Sequence, residues 1–254
     1  ENLTVCPTGC LFSKDQQGFL STLMEKIYND RVVWKNRMLE AKQENEVNPS
    51  TELSSLIAQC NSMQMAKKIQ MNSAYGALGN IYFRWFDQKY AESITLSGQL
   101  SIRWIEKKIN EYLNDLFKTE GKDYVIACDT DSMYITLDNL VNKVYKDKEG
   151  DQTENIITFL DKVSSQKLEP FIDTCYEELA EYVSAYRQKM VMKREAIANK
   201  GIWTAKKHYI LNVFDNEGVR YSEPQLKIMG IEAVRSSTPT ACRQKIKEAL
   251  NVIM

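Results

Sequence analysis

Two aspartates stand one residue apart where a turn is expected. Residues 124–137 read YVIACDTDSMYITL. Residues 124–128 and 133–137 are apolar or β-forming, while Asp129, Thr130, Asp131 and Ser132 between them favour a turn. Carboxylates held this close repel, and a divalent cation offsets the repulsion; magnesium is commonly held by one or two of them. A polar surface turn has the same pattern, so the pair alone does not decide. A second group of residues suits anions. Arg31 and Lys35 are four apart on one expected helix face, and Lys68, Asn72 and Tyr75 follow at i, i+4 and i+7 on another, with Gly76 next. The cations attract phosphates, the ring stacks on a base or sugar, and glycine permits close approach. An ordinary solvent face with a half-buried tyrosine is the competing reading. Lys206, Lys207, His208 and Tyr209 form a third group, in which a metal role for the lone histidine is not expected.

The chain has 254 residues, 43% hydrophobic and 26% charged, which suits one large or two small globular domains. No apolar run is long enough to span a membrane. No secretory signal is visible, and the opening at Glu1 without Met suggests a piece of a longer polypeptide. Of six cysteines, Cys6 and Cys10 suggest half a zinc site, but no second close pair follows and a structural zinc needs four ligands. Reduced thiols in an intracellular compartment are expected. The formal net charge of −1 hides an asymmetry. Residues 138–182 hold eleven acids and five bases; residues 186–210 hold seven bases and one acid, Glu195. A local basic patch suits a phosphate backbone, and equally a solvated face.

The elements that must position these groups follow from periodicity. A helix is expected from about Ser21, its candidate N-cap, to Gln43, broken by residues 45–51 with Pro49. A second runs from about Thr51 past Tyr75, giving an αα-hairpin. Gly79 and Asn80 lead into an aromatic segment. Residues 93–117 form a helix whose buried face is Ile94, Leu100, Trp104, Ile105, Ile109, Leu113 and Leu116. Residues 147–151 read as an acidic surface loop, 155–190 as another long helical region and 190–197 as a strand. Residues 202–214 and 219–229 flank a turn as a second hairpin, with Lys206 and Lys207 on opposite faces. A last helix starts at residues 236–239.

Five segments carry a resemblance: KIQMNSAYGALGN at 68–80, ACDTDSMYI at 127–135, KREAIA at 193–198, WTAKKHYILNV at 203–213 and LKIMGIEAVRSSTP at 226–239. In this order they resemble the B-family DNA polymerases, in particular those of T-even-type myophages. The resemblance implies an α+β fold: helical-hairpin fingers (20–88) on a palm of antiparallel sheet backed by helices (1–19 and 89–235), with the thumb starting at 236–254. It implies Asp129 and Asp131 as catalytic, metal-binding carboxylates and Glu195 as a supporting acid. Arg31, Lys35, Lys68, Asn72, Tyr75 and Gly76 would bind the incoming dNTP, and Thr130, Lys206, Lys207 and Tyr209 primer–template DNA. Two magnesium ions would serve phosphoryl transfer.

The chain departs from the family pattern in three ways. It has no D-x-x-S-L-Y-P segment, whose aspartate is another catalytic ligand, and no exonuclease region or complete thumb. Lys193 stands where the phage relatives usually have Asp, and His208 where they have Arg. The expected partners are therefore an N-terminal polymerase fragment or the remainder of a longer chain, DNA, dNTPs and a sliding clamp, but no membrane. The expected setting is the cytoplasm of a bacterial host, with little activity from this chain alone. A non-catalytic DNA-binding subunit of a split polymerase is the alternative.

Overall fold

The computed structural model describes residues 2–146 and 150–254. The acidic loop expected at 147–151 lies partly outside the described residues. Leu3–Val5 (β1) and Leu11–Ser13 (β2) pair antiparallel as a short hairpin. Helices Phe19–Val47 (α1) and Thr51–Leu78 (α2) form the expected αα-hairpin. Ser50 caps α2 by accepting the Leu53 N–H at 3.1 Å; Gly18, not Ser21, precedes α1 and gives no side-chain cap. Only Met38 and Ala41 of α1 and Cys60, Gln64 and Leu78 of α2 are buried. With so thin an apolar seam, the hairpin depends on what α1 leans against.

Gln88–Phe117 (α3) is capped by Asp87, which accepts the Lys89 N–H at 2.9 Å. Ile105, Ile109 and Leu113, at i, i+4 and i+8, pack against Ile172, Cys175, Tyr176 and Leu179 of Glu169–Tyr182 (α6). The expected stripe narrows at both ends: Ile94 is 47% and Leu116 52% exposed, because α6 covers only the middle of α3. Asp138–Tyr145 (α4) and Thr153–Val163 (α5) precede α6 in the chain. α5 passes into α6 through a π-helical turn at Ser164–Leu168. Pro170 lacks the N–H that would bond one turn back, and the wider register accommodates the loss.

Two expectations fail in the C-terminal half. The helix after residue 155 ends at Tyr182, and residues 190–195 are not a strand. There the Arg194 N–H goes to Glu169 Oε1 (3.0 Å) instead of to a ladder. The expected strand at 202–214 is two strands: Ala196–Ala205 (β5) and His208–Asn216 (β6) join through Lys206 and Lys207, and Val219–Met229 (β7) completes an antiparallel sheet of order β5-β6-β7. Lys207 adopts φ 62°, so the chain reverses without glycine or asparagine. The opposite-face assignment for these lysines therefore does not hold. Val125–Asp129 (β3) and Ser132–Ile135 (β4) form a hairpin apart from that sheet. The architecture is α+β as expected, but its antiparallel strands are divided among small sheets. Thr240–Ile253 (α7) packs Leu250 on Ile210 and Ala233.

The helices and the three-stranded sheet meet at a buried carboxylate. Asp215 is 2% exposed and lies between two guanidiniums: Arg194 Nη1 donates to Oδ1, and Arg220 Nε to Oδ2 at 3.3 Å. Arg194 also reaches Asp161 (2.6 Å), and Arg220 reaches Glu154 (3.0 Å), both on α5. Asp215→Ala would leave two half-buried cations short of their counter-charge. We expect a loss of about 3–5 kcal/mol in unfolding free energy, read by urea denaturation.

Candidate active site

The acidic hairpin is positioned from α3. Asn110 Oδ1 accepts the N–H groups of Tyr124 (2.8 Å) and Val125 (3.0 Å), fixing where β3 begins. Tyr124 is 1% exposed, and its carbonyl accepts the Thr136 N–H at 2.9 Å, closing the base of the hairpin. At the tip, Asp129 is paired with Ser132 and Thr130 turns the chain at φ 59°. The Asp131 N–H donates to the Asp129 carbonyl at 2.7 Å, so the two aspartates belong to one tight turn.

Aromatic packing brings the lysine turn to this tip. Tyr134 of β4 meets Trp203 of β5 and Tyr209 of β6 edge-on, with centroids 5.2 and 5.3 Å apart. Lys207 Nζ then donates to Asp129 Oδ1 at 2.7 Å and to Thr130 Oγ1 at 3.3 Å, and Thr130 Oγ1 donates to the same Oδ1 at 3.1 Å. The Lys207 hydrogen bond holds the Asp129 carboxyl below its ordinary value, and the same bond raises Lys207. Burial first, then the Asp131 charge, pushes Tyr176 up to about 12.

Asp131 and Glu195 line one cleft of about 960 Å³ between β4, α5 and β5, together with Glu169, Lys193 and Lys227. Glu195 pairs with Lys227 at 2.5 Å. Lys193, where the phage relatives usually have Asp, pairs with Glu169 at 2.7 Å, which balances its positive charge. His208 donates or accepts at both ring nitrogens: Arg235 Nη2 stands 2.7 Å from Nε2 and the Lys206 carbonyl 2.9 Å from Nδ1. Because Arg235 can only donate, Nε2 is the acceptor and Nδ1 carries the proton. Lys206 is exposed, whereas Tyr209 is 5% exposed and forms the floor of the turn.

The helical-hairpin residues are not gathered at this tip. Arg31 Nε donates to Gln64 Oε1 at 3.3 Å, and Lys35 is ion-paired with Glu217 in the β6–β7 turn. Lys68 and Asn72 are exposed on α2. The Tyr75 hydroxyl meets Thr95 Oγ1 at 2.7 Å, and the space beside Gly76 is open. Reading the sequence missed Asn110, Tyr134, Trp203 and the Asp215 network; only the aromatic richness of residues 203–209 hinted at any of them.

Asp129 and Asp131 supply the one or two hard carboxylates that magnesium sites use alongside substrate phosphates. Among the described residues no group of three or more His, Cys, Asp or Glu is arranged to hold a metal. The donor set therefore fits part of a site.

The sequence model of DNA polymerase family B matches residues 2–254. The chain belongs to this family. The DNA-directed DNA polymerase of Escherichia phage RB69 is 37% identical over 298 aligned positions, covering 96% of this chain and 32% of that protein. That of Enterobacteria phage T4 is 36% identical, covering 98% and 33%. A DNA polymerase of Pyrococcus glycovorans is 25% identical, covering 96% and 25%. The chain thus spans about a third of the length of its phage relatives.

Pairing with Lys207 lowers the Asp129 carboxyl in the folded state. A lowered folded-state value means the pair adds stability above the ordinary carboxylate range and loses it as pH falls through the lowered value. Lys207→Ala should move the Asp129 titration upward, toward that of an ordinary aspartate, in a carbon-13 carboxyl NMR titration. It should also flatten the loss of stability over that acid window.

Proposed function

We propose that the chain supplies the catalytic hairpin, the nucleotide-binding helices and the primer–template grip of a DNA-directed DNA polymerase. The observation that most supports this reading is the contact of the Lys207 turn with the Asp129 hairpin, two segments 78 positions apart. Residues 20–88 act as fingers, 1–19 and 89–235 as palm, and 236–254 as the start of the thumb. Asp129 and Asp131 hold magnesium, with a further carboxylate from polypeptide outside these residues. When bound, the metal supplies charge stabilisation at the phosphoryl oxygens.

The chain's own residues do the rest. A primer 3′-hydroxyl attacks the α-phosphate in line, and pyrophosphate leaves. Arg31, Lys35 and Lys68 hold the triphosphate, Lys35 leaving Glu217 to do so, and Asn72 lies beside it. Tyr75 and Gly76 shape the pocket of the nascent pair. Thr130, Lys206 and Lys207, floored by Tyr209, take the primer–template, and Glu195 adds acid support beside Asp131. Closure of the long hairpin on a correct pair selects by induced fit. The proposed partners are the missing polymerase segments, DNA, dNTPs and a sliding clamp, in the cytoplasm of an infected bacterium.

The test is primer extension by this chain complemented with the preceding segments of a phage relative. Extension should appear on complementation. Asp131→Asn should lower it about a thousandfold or more while duplex binding persists. Unchanged extension by Asp131→Asn would reject the catalytic reading and leave a DNA-binding module. Separately, Lys206→Ala should weaken duplex binding uniformly across sequences and reduce the salt slope by about 1.

A further inference from the structure

Asp129 Oδ1 already carries two donors, the Lys207 ammonium and the Thr130 hydroxyl, in a closed triangle with Lys207 also bonded to Thr130. The backbones on both sides of this triangle are fixed. The hairpin is anchored through Asn110, and β4 is locked to the turn by the rings of Tyr134, Trp203 and Tyr209. The turn itself is backed by Gly230: a Cβ there would lie 2.1 Å from the Lys207 carbonyl oxygen. The Lys207 side chain, though held in this triangle, is 59% exposed and so accessible to an incoming anion.

We propose that Lys207 is a placeholder cation on Asp129 that duplex DNA draws away, so that duplex and divalent cation bind this hairpin cooperatively. The proposal rests on the polymerase reading of Asp129. The ammonium has donors enough for both, but sharing it would bring a phosphodiester and the Asp129 carboxylate together, and the repulsion of the two anions draws Lys207 outward with the duplex. A divalent cation and an ammonium at hydrogen-bond distance from the same oxygen repel each other. Each ligand therefore favours the same state, with Lys207 off Asp129, and the coupling is reciprocal: the factor by which duplex tightens cation binding is the factor by which cation tightens duplex binding. Without DNA the carboxylate stays neutralised, and the two aspartates tolerate their proximity.

The experiment measures Mn2+ binding to the 254-residue chain by electron paramagnetic resonance at constant ionic strength, with and without a saturating short blunt duplex. Wild type, Lys207→Met, Lys207→Arg and Asp129→Asn are compared, each checked for folding by thermal melting. Without DNA, Lys207→Met should bind Mn2+ about two- to fivefold more tightly than wild type, the range an exposed ion pair spans. Duplex should tighten wild type by a similar factor and leave Lys207→Met unchanged, and Lys207→Arg should follow wild type. Equal affinities of wild type and Lys207→Met without DNA, with Asp129→Asn weakened, overturn the placeholder and leave Asp129 as a cation ligand. Equal tightening of wild type and Lys207→Met by duplex does the same. Asp129→Asn binding as wild type in every condition overturns the metal reading and the placeholder together.

Discussion

Everything in the C-terminal half is arranged around one buried negative charge. Asp215 has almost no contact with water and is matched by the guanidiniums of Arg194 and Arg220 and by the Gly218 N–H at 3.0 Å. A buried ion cluster gives uncertain net stability, since desolvation offsets much of the attraction. Its contribution is registry: only one placement of α5, β6, β7 and the segment before β5 satisfies every partner. The β6–β7 turn that follows then presents Glu217 to Lys35 and the Arg220 N–H to Gln43 Oε1 (2.9 Å) on α1. The long hairpin, poor in apolar burial, takes its bearing on the body from this corner and from the Glu25–Lys189 pair.

The acidic hairpin is held by a different kind of interaction. A two-stranded sheet is marginal by itself. Here it gains a polar clamp from Asn110 on one side and aromatic faces on the other. Tyr134 thus joins two sheets that share no backbone hydrogen bonds. Gly201 is part of the same fit, since a Cβ there would come within 2.7 Å of the Trp203 ring.

What could be read from sequence was what is local. Residues 124–137 announce their hairpin because apolar runs flank a polar turn, and Pro49 announces the break between α1 and α2. The lysine turn was not legible, because Lys206 and Lys207 lack the residues that usually mark a reversal. Residues 190–195 have strand-like composition, but Lys193 and Arg194 bond carboxylates of α5 and α6, information that is not local. Ion pairs such as Arg194 with Asp161, separated by 33 positions, leave no periodic trace. The family motifs pointed to candidate site residues, yet could not say that Lys207 and Lys35 each rest against a carboxylate.

Three turn tips in this molecule share a feature: Thr130, Lys207 and Glu217 are non-glycine residues with φ of 59°, 62° and 53°. Glycine would relax each backbone. It would also delete, in turn, the hydroxyl on Asp129, the ammonium on the same oxygen, and the carboxylate that steadies α1. The tips are thus places where backbone ease has been exchanged for a working side chain. An engineer who stabilised this protein by idealising its turns would remove all three contacts.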